Sequence, residues 1–189
     1  MFEWLRFVDI PMTFRTDTLV GVSTPAAVPA PRQSLTIVCA ALAGAIPMIT
    51  LVLWFVLGAD GIGPFPASWA PIAVIAVAGG AYACCELAGF RTPPLEYANR
   101  SAAEIEADSW RRFTASTFTR FALCEAVFLV SVALAFSVHS FWVVLIGAVI
   151  ALPLFFLEAW PGERNQRRFA AALESRGIPS YLTGGRLQD

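Results

Sequence analysis

Three stretches of this 189-residue chain carry no charged residue: positions 33–59, 61–85 and 126–157, which are 27, 25 and 32 residues long. A helix needs about 20 apolar residues to cross the hydrocarbon core of a bilayer. The first two runs each suffice for one crossing. The third, with the apolar stretch from Phe121 that only Glu125 separates from it, is long enough for two crossings joined by a tight turn at "SVHSF". In lipid only helices and closed barrels satisfy all their backbone polar groups, and these runs lack the apolar/polar alternation of barrel strands. The expected fold is therefore all-α: a polytopic membrane protein with four transmembrane helices near 35–57, 69–90, 121–138 and 141–160. They form two in–out–in hairpins, with a cytoplasmic helical extension before span three. Pro71 suits a first helical turn, and Pro47 and Pro153 predict kinks that neighbouring helices tolerate.

Composition agrees. The chain is 57% hydrophobic and 14% charged, against roughly 25% charged in a soluble domain. A net charge of −1 argues against a nucleic-acid partner. All 13 basic residues are arginine, which with abundant Ala, Gly and Pro suggests a high-GC bacterial coding bias. Glu3, Arg6 and Asp9 interrupt the first ten residues, so a cleaved signal peptide is not expected. The four cysteines, Cys39, Cys84, Cys85 and Cys124, all lie in apolar runs, which speaks against a secreted disulfide framework.

Orientation follows from arginine. Three precede span one, five fall within 91–120, five follow Trp160, and the two remaining turns hold none. The positive-inside rule makes that side cytoplasmic. The reading is a multi-pass protein of the bacterial cytoplasmic membrane with both termini inside. Trp54, Trp69 and Trp142 then mark the outer interface and Trp160 the inner one. Residues 1–33 are an arm and stiff linker, with residues 2–10 lying on the membrane surface or free. Residues 34–160 are the membrane domain, with a cytoplasmic loop at 91–120, and 161–189 a cytoplasmic tail. Within that loop "RTPPLE" starts extended. "SAAE" then fits a capping box, with Ser101 as N-cap and Glu104 reaching back, opening a helix at Ala102 that runs into span three.

A weak internal repeat lays "TIVCAALAG" on "FALCEAVFL" and "ELAGFR" on "EAWPGER", matching Cys39 with Cys124 and Glu86 with Glu158. Span three opens with Arg120, then Ala122, Leu123 and Glu125; span four closes on Pro161 and Arg164. This pattern resembles a family of small bacterial four-span membrane proteins with two hairpins similar to those of the rotary ATPase proteolipid subunit. The resemblance implies an architecture and no particular activity. A proteolipid holds its ion-binding carboxylate near mid-membrane, whereas the carboxylates here sit near the cytoplasmic end.

Those carboxylates define the candidate site. Glu86, Glu125 and Glu158 each lie five or six residues from an arginine, Arg91, Arg120 and Arg164 respectively, within one slab beneath the cytoplasmic headgroups. A carboxylate in an apolar span usually faces protein and finds a partner. The favoured reading is that glutamates and arginines pair and fix helix packing. A second has Glu86 and Glu125 lining an entrance for an ion, proton or amphiphile. A third has the cysteines binding a soft metal or sensing redox state. Thiolates suit zinc or copper(I), but adjacent cysteines on a helix point about 100° apart, so packing filler is favoured for them. His139 belongs to the outer turn and reads as a solvated residue. The pairs Ala40–Gly44, Ala76–Gly80 and Gly79–Ala83 permit close helix approach, more readily inside the bundle than at a dimer seam. Arg111, Arg112, Arg167 and Arg168 sit beside aromatic residues at the membrane edge and suit anionic lipid headgroups. No phosphate-binding loop, nucleophile elbow or zinc-hydrolase motif is present. The expectation is a non-enzymatic structural or accessory membrane component without a cofactor, in contact with lipid and with a membrane-protein partner or further copies of itself. A small transporter is the alternative.

Overall fold

A computed structural model describes residues 30–58, 61–96 and 100–184. Among these residues every regular element is helical: α1 Ala30–Leu57, α2 Ala70–Cys84, α3 Ala102–Val138, α4 Phe141–Leu154 and α5 Glu163–Leu173. α2 and α4 each continue into a five-residue π-helical segment, Cys85–Gly89 and Phe155–Ala159. Four helices are long and apolar enough to cross a membrane: Pro31–Leu57, Ala70–Gly89, Ala102–Val138 and Phe141–Ala159. The amino-terminal arm lies outside the described residues. α1 begins inside the expected linker, because Pro31 fits a first turn whose N–H groups have no intrahelical partner.

The surface of this bundle is apolar. Ile37, Met48, Leu51 and Phe55 on α1, Ile72 and Ile75 on α2, Leu129 on α3 and Val149 on α4 are all more than half exposed. In water such a surface would be a large hydrophobic patch; against lipid it is ordinary solvent contact. The interior is filled by small and aromatic side chains, among them Val74, Cys124, Val127, Phe128, Val143, Val144 and Phe155. α3 packs mainly on α4 and α2, and α1 leans on α4 with little direct contact to α2. The second hairpin is thus a packed pair, and the two helices of the first are held apart against it.

Both turns lie at one end. His139 closes α3 in the left-handed conformation, φ 50°, and is an exposed turn residue. Trp54 stacks edge-on against Phe141 at 5.2 Å, and Trp142 Nε1 donates to the Gly63 carbonyl at 3.0 Å. These contacts tie the loop between α1 and α2 to the start of α4.

The opposite end holds the arginines of the described residues. α3 has 37 residues, about 55 Å at 1.5 Å per residue, against a hydrocarbon core of about 30 Å, so its amino-terminal part projects beyond the bundle. It starts at the expected capping box: Ser101 N donates to Glu104 Oε2 at 2.8 Å, and Glu104 N to Ser101 Oγ at 3.4 Å. The projecting part does not stand alone. Trp110 and Phe113 on α3, Phe169 and Leu173 on α5, Leu95, Ile178 and Leu182 are all buried together. Phe113 meets Trp110 and Phe169 edge-to-face at 5.9 and 5.5 Å. Leu95 N donates to the Leu173 carbonyl at 3.0 Å, which spends the extended "PPL" segment on holding α5. The stretch read as a tail is, up to Leu182, a packed cap.

One expectation is corrected. Ala40, Gly44, Ala76, Gly79, Gly80 and Ala83 all face outward, and a Cβ added at Gly44, Gly79 or Gly80 would meet nothing within 4 Å. The close approaches fall at Gly89 and Gly147, where added Cβ atoms would collide with Arg120 and Ser131. Small-residue spacing alone carries no information on which face is buried.

Candidate functional site at the arginine end

The π-helical segment Cys85–Gly89 sets the site. A π turn inserts one extra residue per turn and turns the side chains after it onto a new face. Cys85, Gly89 and Phe90 are buried here, while Cys84, one residue earlier, is exposed. Gly89 lies against the Arg120 stem, and its carbonyl accepts a short hydrogen bond from Ser116 Oγ.

Arg120 is fully buried. Its Nη1 donates to the Glu158 carbonyl at 2.5 Å, its Nε to the Ser116 carbonyl at 3.3 Å, and its Nη2 to Thr117 Oγ1 at 3.3 Å. The guanidinium carbon stands 4.1 Å from the centre of the Phe90 ring. The cation therefore meets the carboxyl-terminal end of α4, where carbonyls without helical partners carry partial negative charge.

Glu86 pairs with Arg168 of α5. Two parallel hydrogen bonds join them, Nη1 to Oε1 at 3.0 Å and Nη2 to Oε2 at 2.7 Å. The Arg168 guanidinium lies 4.0 Å from the Phe90 ring centre, so one ring carries both guanidiniums. The Glu86 hydrogen bonds raise the Arg168 pKa above the ordinary guanidinium value, so this cation keeps its charge at any working pH.

Glu158 is buried, and its Oε2 has no hydrogen-bond partner among the described residues. Its carboxyl is close enough to that of Glu86 for the two charges to repel. The carbonyls that end α4 are met by α5: buried Asn165 Nδ2 lies 3.1, 3.1 and 2.9 Å from the carbonyls of Leu157, Glu158 and Trp160, and Gln166 Nε2 donates to Pro161 O at 3.0 Å.

Spans two, three and four thus deliver Glu86, Arg120 and Glu158 to one cluster, but with partners other than those expected. Glu86 joins Arg168 and not Arg91, so Arg168, expected at lipid headgroups, is engaged by protein. Arg164 donates to the Leu157 carbonyl at 3.3 Å. Glu125 stays outside the cluster, half-buried and with no hydrogen-bond partner among the described residues. Of the other headgroup candidates, Arg111 and Arg112 pair with Asp108 at 2.6 and 2.9 Å, and Arg167 with Glu163 at 3.1 Å. Cys39, Cys85 and Cys124 are buried, and no group of three or more His, Cys, Asp or Glu among the described residues could share a metal ion. Asn165 and Gln166 escaped the sequence reading. Their one signal is that Asn165, Phe169 and Leu173 recur at i, i+4 and i+8, placing an amide on an apolar stripe.

No protein-family model, curated protein or solved structure matches the chain.

Proposed function

We propose that the chain is a non-enzymatic structural or accessory component of the bacterial cytoplasmic membrane, both termini cytoplasmic, whose inner polar cluster clamps a cytoplasmic cap onto a four-span bundle. The observation that carries this reading is the use made of the charges. Arg120 spends all three of its nitrogens on protein oxygens, and Glu86 and Arg168 satisfy one another. A cluster committed to fastening helices from four parts of the chain has the form of a joint, and a joint at the membrane face suits a protein that presents its cap to another membrane component. Purification in mild detergent tests this. A partner present in stoichiometric amount, lost when Arg168→Ala loosens the cap, is the expected result; a monodisperse chain free of any partner counts against it.

A second reading draws on Glu158 and Glu125, carboxylates without a side-chain donor among the described residues. Intramembrane carboxylates of that kind serve as proton or ion relays in transporters. In proteoliposomes, proton or cation flux that vanishes in Glu158→Gln or Glu125→Gln while the fold is kept would favour the transporter over the accessory component.

A further inference from the structure

A cleft of about 290 Å³ opens beside the cluster, between the end of α2 and the middle of α3. Two arginines from different segments, Arg91 and Arg112, line it together with Thr92, Ser116 and Thr119, and no carboxylate does. Arg112 is partly engaged, by Asp108 and by the Pro93 carbonyl at 3.1 Å. Arg91 is exposed, and its guanidinium has no partner among the described residues. Along α3 the face that lines the cleft at Ala115 and Thr119 continues, at three- and four-residue spacing, onto exposed Phe118, Ala122 and Ala126. The surface thus passes from cationic at Arg112 to apolar within about two helical turns, which is the profile of an amphiphile and not of a soluble anion.

We propose that this cleft binds the phosphate of an anionic phospholipid headgroup, with Arg91 as the principal cation, Arg112 as the second, and the acyl chains running down the α2–α3 seam. Charge-assisted hydrogen bonds from a guanidinium to phosphate oxygens are strong and geometrically selective. The inference rests on the four helices being membrane spans and is independent of the accessory role.

The test begins with alkaline carbonate extraction of membranes. Release of the chain at that step would overturn the span reading itself before any lipid is added. Retained chain is purified in mild detergent, delipidated, and offered phosphatidylglycerol or phosphatidylcholine, with bound lipid counted by native mass spectrometry. Wild type is expected to hold about one phosphatidylglycerol and little phosphatidylcholine. Arg91→Gln should lower retention roughly tenfold, the scale of one lost charged hydrogen-bond contact, and R91Q/R112Q further, with Arg167→Gln as an unaffected control. The Arg91 guanidinium makes no hydrogen bond or ion pair among the described residues, and the residue is exposed, so R91Q should melt with wild type. Equal phosphatidylglycerol retention in wild type and R91Q overturns the proposal. So does displacement of the lipid by inorganic phosphate at comparable concentration, which would make the cleft a site for soluble phosphate.

Discussion

Gly89 and Arg120 are in such close contact that a Cβ on the glycine would stand 2.6 Å from Arg120 Cγ and 2.7 Å from Cδ. Two effects of Gly89→Ala oppose one another. Alanine gains about 1 kcal/mol of helix propensity over glycine, while overpacking a tight site costs about 1–3 kcal/mol. The stem it would strike belongs to a guanidinium fixed by three hydrogen bonds and a ring, so it cannot swing aside. Overpacking wins, and G89A is expected to melt below wild type in detergent. Arg120→Lys should also lose stability, because an ammonium reproduces neither the forked bonding nor the stacking on Phe90.

The Glu86–Arg168 pair is about one-third exposed on each side, 29% and 33%, so solvent screens it and its worth is about 1 kcal/mol. A double-mutant cycle of Glu86→Gln and Arg168→Gln should return a coupling of that size, falling at high salt. Arg168 remains cationic at any working pH, so the coupling disappears only on the acid side, as Glu86 takes up a proton. Proteolysis of the cap offers a second readout: α5 should be cut sooner in either single variant.

Glu158 lies near the Glu86 charge, and its buried Oε2 has no hydrogen-bond partner among the described residues. Glutamine is close to it in shape, removes one of two neighbouring negative charges, and brings an N–H that the Glu86 carboxylate can accept. Glu158→Gln is therefore expected to be neutral or stabilising in thermal melts, while Glu158→Leu should destabilise by replacing a polar group beside the Glu86–Arg168 pair with an apolar one, at a cost of about 1–3 kcal/mol. A large loss in E158Q would mean that the carboxylate charge itself holds Arg120.

The reach of the sequence is uneven for physical reasons. The uncharged runs place four helices to within a few residues, because the absence of charge over 20 positions leaves a chain few alternatives. Ser101 and Glu104 predict the start of α3, since a capping box is a local device whose partners are three residues apart. Glu86, Arg120 and Glu158 could be placed in one slab by counting along helices. Which arginine meets which glutamate could not: Arg168 lies 82 positions from Glu86, and the contact depends on α5 folding back under the bundle. The nearest arginine in sequence, Arg91, lies two residues beyond Gly89, where the helix that carries Glu86 ends, and side chains five residues apart on one helix would stand about 140° apart in any case. A π segment follows both α2 and α4, yet Glu86 is second in one and Glu158 fourth in the other, so the residues matched by the repeat are not at equivalent places.

The α3–α4 seam offers the sharpest test of the packing. Gly147 of α4 faces Ser131 of α3, and a Cβ at Gly147 would overlap the serine side chain. Both residues are buried, and Ser131 Oγ donates to the Phe128 carbonyl at 2.6 Å, which fixes its rotamer and denies it an escape. Gly147→Ala alone must push the two helices apart, at a cost of about 1–3 kcal/mol or more. Ser131→Gly alone opens a small void and adds glycine to a helix interior, about 1 kcal/mol. The swap S131G/G147A moves the bulk from one helix to the other and vacates the colliding atoms. If the helices meet at this point, the swap recovers most of the G147A loss and the two changes are strongly non-additive. Thermal melts of the four proteins in one detergent measure this directly, and additive losses would show that Gly147 and Ser131 do not touch.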